Sequence, residues 1–329
     1  MGYVVDGRWI NTDQRPTGQF IRRESQFRNW ITMDGSPGPS GAGGFKAEAG
    51  RYYLYVSLAC PWASRTLIFR SLKGLESMVG LSVTHWLMGE HGWTFSPGEG
   101  VVADSVNGVE FLHQLYTRAN PTYSGRVTVP VLWDNQRHTI VNNESAEIIR
   151  MFNSAFDGVG ARKGDYYPEP LRAEIDRMNA RIYDTVNNGV YKAGFAGTQE
   201  AYEAAVVPLF QTLDWLEEHL CKRRFLVGEK PTEADWRLFT TLVRFDVVYF
   251  GHFKCNIRPL IDYPNLWAYT RELYQWPGIA ATVNLMHIKR HYYMSHRHIN
   301  PAGIVPVGPS INFDASSHRG FGACDLMSA

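Results

Sequence analysis

Short apolar segments separated by polar turns mark the chain between residues 51 and 153. Segments rich in β-branched and aromatic residues predict strands at 51–56, 81–87, 127–134 and 139–141. The pattern between them predicts helices at 66–72, at 109–116 and from about 143–145 onward. Asn135-Gln136 lies between the last two strands and predicts a hairpin. The predicted order is therefore strand, helix, strand, helix, strand, strand, helix.

Helical periodicity dominates the second half of the chain. Between residues 198 and 220, apolar side chains recur at steps of three and four, which places them on one face of a helix. They are Tyr202, Val206, Leu209, Leu213, Leu216 and Leu220. Pro208 falls within this stripe and predicts a kink. Further helices are predicted at 171–187, 265–276 and 278–290, and Thr232-Glu-Ala-Asp235 resembles a capping box before an apolar run.

These patterns divide the chain into four parts. Residues 1–50, which are partly Gly- and Pro-rich, predict an N-terminal extension with little capacity to form a core, draped over the body or used in assembly. Residues 51–160 match the element order of a thioredoxin-like α/β domain. Residues 161–310 predict an all-helical domain, and 311–329 an irregular C-terminal tail.

Composition and charge exclude several function classes. Of 329 residues, 44% are hydrophobic and 20% charged, as in ordinary globular proteins, and the net charge of +1 gives no broad basic field for nucleic acid or an acidic membrane. No apolar signal core is present, and charges interrupt the longest apolar stretches, so neither a signal peptide nor a membrane span is expected. The four cysteines show no CxxC pairing, which predicts reduced thiols in a cytoplasmic protein.

Two kinds of bound group are not expected from the motifs. His287 and His291 would share a helical face, but no carboxylate or cysteine is suitably spaced to complete a metal site. No Gly-rich phosphate loop follows a strand in the way that nucleotide binding requires. The sequence therefore predicts neither a metal centre nor a nucleotide cofactor.

Cys60 is the strongest candidate for chemistry. It falls at the turn between the strand 51–56 and the following helix, with Pro61 at the first helical position, where a missing N–H costs nothing. Unpaired N–H groups at a helix start stabilise a thiolate, so Cys60 is predicted to be a nucleophile with a pKa below the ordinary thiol value of about 8.5. The motif has no second cysteine, so turnover would need an external thiol. The alternative is that Cys60 is only a small buried hydrophobic residue.

Five segments together carry a resemblance to a known family. They are Cys60-Pro-Trp-Ala-Ser-Arg65, Gly92-Trp-Thr-Phe95, 125–134, Asn143-Glu-Ser-Ala146 and 186–195. Over residues 3–310 the chain resembles the glutathionyl-hydroquinone reductases, the Xi class in the omega-like branch of the glutathione transferase superfamily. The resemblance implies the glutathione transferase fold and a homodimer. It departs in one place, because the class commonly has His where Ser64 stands.

The resemblance also implies a reaction. The family removes glutathione reductively from a glutathionyl-hydroquinone with a second glutathione. The Cys60 thiolate would attack the glutathione sulfur, the hydroquinone would leave, and free glutathione would resolve the mixed disulfide to glutathione disulfide. Glutathione is then a co-substrate, glutathionylated quinols are the partners, and no permanently bound cofactor is expected.

Three tyrosines are implied as catalytic residues beside Cys60. Tyr191 matches the proton donor to the leaving hydroquinone, and Tyr249 and Tyr292 match residues that hydrogen-bond near the thiol and favour its thiolate. Since the chain has 17 tyrosines, any of them could instead be a packing residue. Only their positions in the family motifs single out these three.

The implied glutathione-binding residues come from two strand ends and a loop. They are Trp93, Arg126, Val127, Thr128, Val129, Glu144 and Ser145. Glu144 and Ser145 would hold the γ-glutamyl end, although capping a helix would also explain them. The backbone of Val129, before Pro130, would pair with the cysteinyl part like an added strand, and Pro130 is either in a cis bond or a plain edge-strand proline.

Arg126 and Trp93 would hold or cover the glycyl end, although an exposed arginine is often only a solvated charge.

Two other functions stay open for the whole chain. One is a general omega-like thiol transferase or dehydroascorbate reductase that uses the same Cys60. The other is a non-catalytic interaction protein with the glutathione transferase fold.

Overall fold

A four-stranded mixed sheet organises the first half of the chain. The computed structural model describes residues 2–11, 18, 24–317 and 319. The strands are β1 (Tyr3–Val5), β2 (Arg8–Ile10), β3 (Tyr52–Val56), β4 (Val79–Val83), β5 (Val131–Asp134) and β6 (Thr139–Asn142). β1 and β2 form an antiparallel ribbon, and the sheet has the order β4-β3-β5-β6. β3 is parallel to β4 and antiparallel to β5, which is antiparallel to β6.

Helices cover the sheet and then form the second half of the chain. They are α1 (Pro61–Leu72), α2 (His113–Ala119), α3 (Ser145–Ser154), α4 (Arg172–Ile182), α5 (Gly189–Gly194), α6 (Gln199–Lys222), α7 (Glu233–Leu242), α8 (Pro264–Tyr274) and α9 (Leu285–Ser295). Two π-helical turns, Tyr183–Asn187 and Phe245–Tyr249, follow α4 and α7. The α/β half followed by a helical half confirms the predicted fold class, whereas the predicted domain bounds stay a prediction.

The two halves meet along α1. One side of α1 packs against α3, and another packs against α7 of the helical half. All residues of α1 from Ala63 to Phe69 are buried, polar and apolar alike. A helix in contact with neighbours all round has no solvent face, so its N-terminus is held by both halves at once.

Two local signals in the helical half agree with the structure, and one predicted helix start does not. The apolar stripe of α6 is buried from Val206 to Leu220, with Pro208 inside the helix. The capping box at the start of α7 is confirmed, because Asp235 Oδ2 accepts a hydrogen bond of 2.7 Å from the backbone N–H of Thr232. The predicted helix 278–290 starts only at Leu285, because Asn284 caps it by accepting from the backbone N–H of His287 at 2.9 Å.

The N-terminal extension contributes to the core, so the prediction of little core-forming capacity is wrong. Val4, Ile31, Phe45 and Ala47 are each at most 2% exposed. These apolar residues stand singly among Gly, Pro and polar residues, so no periodic pattern predicts their burial. The extension does lie over the body, since β1 pairs with Gly125 through two backbone hydrogen bonds of 2.9 Å.

The described cysteines bear on the expectation of reduced thiols. Cys60 and Cys255 carry thiols rather than disulfides, which agrees with the expectation of reduced cysteines for these two residues. Cys324 and most of the predicted tail after 317 lie outside the described residues. Among the residues described, no helix is both long and apolar enough to cross a membrane.

Candidate functional site

Cys60 stands where the sequence puts it, at the start of α1. Its backbone is extended, with φ −78° and ψ 123°, and its carbonyl accepts the first helical hydrogen bond from Ser64 at 2.9 Å. The side chain is half-buried, which argues against a purely structural thiol. Cys255 gives the contrast, because it is fully buried and burial raises the pKa of its thiol. The N–H groups of the first turn of α1 are therefore next to an accessible sulfur.

The segment before β5 lies beside the thiol. The carbonyl oxygen of Val129 is 3.6 Å from Cys60 Sγ, and the Val129–Pro130 peptide bond is cis. The buried Tyr116 fixes the neighbouring residue, since its hydroxyl donates to the Thr128 carbonyl at 2.7 Å and accepts from the Thr128 N–H at 3.2 Å. Val127, one residue earlier, is half-buried. This backbone thus borders the same space as Cys60.

Glu144 and Ser145 form the N-terminus of α3. Glu144 is the N-cap, and its carboxylate accepts from the Ala146 N–H at 3.0 Å and from the Ser25 hydroxyl at 3.3 Å. Ser145 is buried, and its hydroxyl accepts from Arg65 at 3.4 Å. The simple capping interpretation is therefore correct. A half-exposed carboxylate at the positive end of a helix dipole still suits a ligand that carries both an ammonium and a carboxylate.

Trp93 and Arg126 have different surroundings. Trp93 is only 6% exposed, and its ring stacks on His291 of α9 with centroids 4.8 Å apart. Arg126 is exposed, and its carbonyl accepts from the Tyr123 hydroxyl at 2.7 Å. Trp93 therefore packs its loop against the helical half, whereas the Arg126 side chain is exposed to solvent.

The structure brings together the three tyrosines from three different helical segments. The hydroxyl of Tyr292 on α9 is hydrogen-bonded to that of Tyr191 on α5, and lies 3.0 Å from that of Tyr249. Burial raises the pKa of Tyr249 to about 12, and it raises the pKa of Tyr292 well above 10. The Tyr191 ring lies 4.9 Å from the ring of Trp62, two residues after Cys60, so the cluster adjoins the start of α1.

Comparison with known proteins settles the family. The glutathione S-transferase N-terminal domain model matches residues 59–155, and the C-terminal domain model matches 199–272. The glutathionyl-hydroquinone reductase YqjG of Escherichia coli K12 is 58% identical over 97% of this chain and 98% of its own length. PcpF of Sphingobium chlorophenolicum, with the same description, is 57% identical over 94% of this chain and 97% of its own.

Solved structures agree. The glutathione-bound YqjG structure has a TM-score of 0.91 at 56% identity and covers 97% of this chain and 99% of that one. A Xi class transferase from Natrialba magadii has a TM-score of 0.88 at 46% identity, and the match covers 96% of this chain and 95% of that one. The chain belongs to the Xi-class glutathione transferases.

An aromatic wall around Tyr191 of this Xi-class transferase was not predicted from the sequence. The Tyr191 ring lies 4.9 Å from Trp62 and 5.4 Å from Phe253, and Phe195 lies 5.1 Å from Phe253. His296 packs on Phe253 at 5.8 Å, and burial lowers its pKa well below 6.5, so it is neutral there. Phe253, Phe195 and His296 are buried and support the partly exposed rings of Trp62 and Tyr191, which suit an aromatic ligand.

The Xi-class site also contains a buried arginine that sequence reasoning missed. Arg244 is 1% exposed, and its guanidinium donates to the carbonyls of Leu58 and Ala59 at 3.1 and 2.9 Å. The sequence shows Arg244 only as one of the charges that interrupt the longest apolar stretches. That interruption was the available signal, because an ionised residue inside a buried helical run needs a partner.

Proposed function

We propose that this Xi-class transferase reduces S-glutathionyl-hydroquinones with glutathione as co-substrate. The observation that carries the proposal is a half-buried thiol at the start of a helix whose first turn packs, through Trp62, on a cluster of three linked tyrosine hydroxyls. Relatives at 58% and 57% identity bear the name glutathionyl-hydroquinone reductase. The partly exposed rings of Trp62 and Tyr191 suit a quinol ring, and the start of α3 suits the γ-glutamyl end of glutathione.

In the first step the Cys60 thiolate attacks the sulfur of the glutathionyl-hydroquinone. The carbon–sulfur bond breaks, its electron pair goes to the ring carbon, and Tyr191 supplies the proton that completes the hydroquinone. Tyr191 suits this role because its hydroxyl belongs to a buried hydrogen-bonded chain with Tyr292 and Tyr249, which can replace the proton. Cys60 is left as a mixed disulfide with glutathione.

In the second step a free glutathione thiolate attacks the glutathione sulfur of that mixed disulfide. Glutathione disulfide leaves, and the Cys60 thiolate is restored, so the hydroquinone gains the two electrons that two glutathione units lose. Glu144 would pair with the γ-glutamyl ammonium, and Ser145 with its carboxylate. The backbone at Val129 would hold the cysteinyl part of glutathione beside the thiol.

The test is turnover of a panel of glutathionyl-quinols such as glutathionyl-menadiol, followed by glutathione disulfide formation. We expect Cys60→Ser to abolish turnover while calorimetry still detects glutathione binding, because the substitution removes only the nucleophile. Residual turnover above about a tenth of wild type would count against the proposal. Dehydroascorbate is the comparison substrate, and a strong preference for it would favour the omega-like thiol transferase instead.

We further propose that the protein acts in the cytoplasm and as a homodimer. A reaction that consumes glutathione and needs Cys60 as a thiolate depends on a pool of reduced glutathione, which the cytoplasm maintains. The dimer rests on the family resemblance. Cell fractionation and light scattering after size-exclusion chromatography test these two points.

A further inference from the structure

Arg244 holds the turn that presents Cys60. It lies between α7 and the π-helical turn Phe245–Tyr249, and it reaches back to the α/β half. Besides its bonds to the carbonyls of Leu58 and Ala59, it donates to the Ser64 hydroxyl at 2.6 Å. Its partners in the α/β half therefore lie just before Cys60 and one helical turn after it. Its remaining bond, of 2.7 Å, goes to the Thr240 carbonyl.

This guanidinium has no carboxylate partner among the residues that the structure describes, since every ion pair found there involves other cations. All four of its hydrogen-bond acceptors are neutral oxygens. A buried charge is normally compensated, because removing it from water costs several kcal/mol. An anion that forms beside it is stabilised in turn, and the ionisable thiol attached to this turn is Cys60.

We propose that Arg244 is a positioning residue for Cys60, which fixes its turn and supplies positive potential that favours the thiolate. The inference rests on the proposed role of Cys60 as the nucleophile. Ser64 fits this role, because its hydroxyl gives the guanidinium an uncharged acceptor. The charge of Arg244 is therefore left uncompensated by Ser64.

The other ionisable groups near the start of α1 do not supply the positive charge that would favour the Cys60 thiolate. The pKa values of Tyr249 and Tyr292 are raised by burial, so both are neutral, and Tyr191 is hydrogen-bonded to Tyr292. Burial lowers the pKa of His291 on α9 to about 4, so this histidine is neutral as well.

Two other charged groups lie on the elements around the Cys60 turn, but their hydrogen bonds go to residues outside this turn. Arg65 on α1 keeps its charge at neutral pH, because burial lowers its pKa only to about 9, but it donates to Ser145 and Asn187. The Glu144 carboxylate caps α3. Arg244, by contrast, donates directly to the carbonyls of Leu58 and Ala59 and to the Ser64 hydroxyl, so its charge lies at the Cys60 turn.

The experiment measures the pKa of Cys60 itself. Alkylation by iodoacetamide is followed from pH 4 to 10, and mass spectrometry quantifies the Cys60 peptide in wild type, Arg244→Gln, Arg244→Lys and Ser64→Ala. We expect Arg244→Gln to raise the Cys60 pKa by about one unit, which is a tenfold loss of thiolate below that pKa. Arg244→Lys should keep most of the lowering because the charge stays. Ser64→Ala, which removes one hydrogen bond and no charge, should change the pKa by less than about 0.3 unit.

Two results would overturn the inference. One is an unchanged Cys60 pKa in Arg244→Gln, and the other is an equal rise in the Gln and Lys variants, which would show a purely structural hold. If Arg244→Gln does not fold, Arg244→Lys decides alone, because a pKa near the ordinary value of about 8.5 in that variant refutes the role of charge. Since alkylation needs no turnover, an active Cys60→Ser would refute the proposed function and leave this measurement interpretable.

Discussion

Tyr292→Phe tests whether the tyrosine cluster works as a unit. Tyr292 is 1% exposed, and its hydroxyl is hydrogen-bonded to Tyr191 and to Tyr249. The substitution removes the shared oxygen and leaves the ring in place. Tyr293→Phe is the matched control, because Tyr293 is the next residue of α9, is half-buried, and has its hydroxyl outside this cluster.

The expected magnitudes follow from the two lost bonds. Tyr249 is fully buried, so losing its 3.0 Å bond to Tyr292 costs about 1–3 kcal/mol, whereas the half-buried Tyr191 can regain water. We therefore expect a loss of about 2 kcal/mol in the free energy of unfolding. Without its partner, Tyr191 is a weaker proton donor, and one hydrogen bond worth about 1.4 kcal/mol in the transition state corresponds to a tenfold fall in kcat.

Urea unfolding and steady-state turnover of glutathionyl-menadiol measure the two effects. The KM for glutathione should not change, because Tyr292 lies on α9 and the proposed γ-glutamyl site lies at the start of α3. A kcat of Tyr292→Phe within twofold of wild type would refute the idea that Tyr292 supports Tyr191. Equal losses in Tyr293→Phe would instead show that any change on this face of α9 perturbs the site.

Three further outcomes are expected. Burial lowers the pKa of His252 and His291 to about 4. Since the unfolded values lie near 6.5, the unfolded chain binds more protons between these limits, and the Tm should fall as pH drops from 7 to 4, with His252→Asn flattening the profile. Asp235→Ala should cost about 3 kcal/mol in urea unfolding, because it orphans the N–H groups of Leu226 and Thr232, and Asp235→Asn should cost less. Ser25→Ala should raise the KM for glutathione about fivefold without changing kcat, because Glu144 loses a hydrogen bond that orients its carboxylate; an unchanged KM would remove the N-terminal extension from the site.

The parts of the fold that depend on near neighbours in sequence were predictable. The order of strands and helices in the first half followed from short apolar segments, and the α7 capping box from two residues three apart. The start of α9 was wrong by seven residues, because a single Asn284 side chain sets it. Val4 pairs with Gly125, and the backbone N–H of Ile31 lies 3.0 Å from Met151 Sδ on α3, so the burial of both depends on residues far along the chain that no local pattern records.

The same distinction applies to the site. Features set by neighbouring residues can be predicted from the sequence, whereas the contacts of Arg244 join distant residues and cannot. Cys60 at a strand-to-helix turn is a local feature, so the sequence alone predicts it. The tyrosine cluster joins residues 43 to 101 positions apart, and only the family resemblance could single them out. Arg244 lies 180 positions or more from its partners in the Cys60 turn, so sequence records only the anomaly of a charge in an apolar run. Because a buried cation must be compensated, such an anomaly is itself evidence of a distant partner, and here the partners surround the reactive thiol.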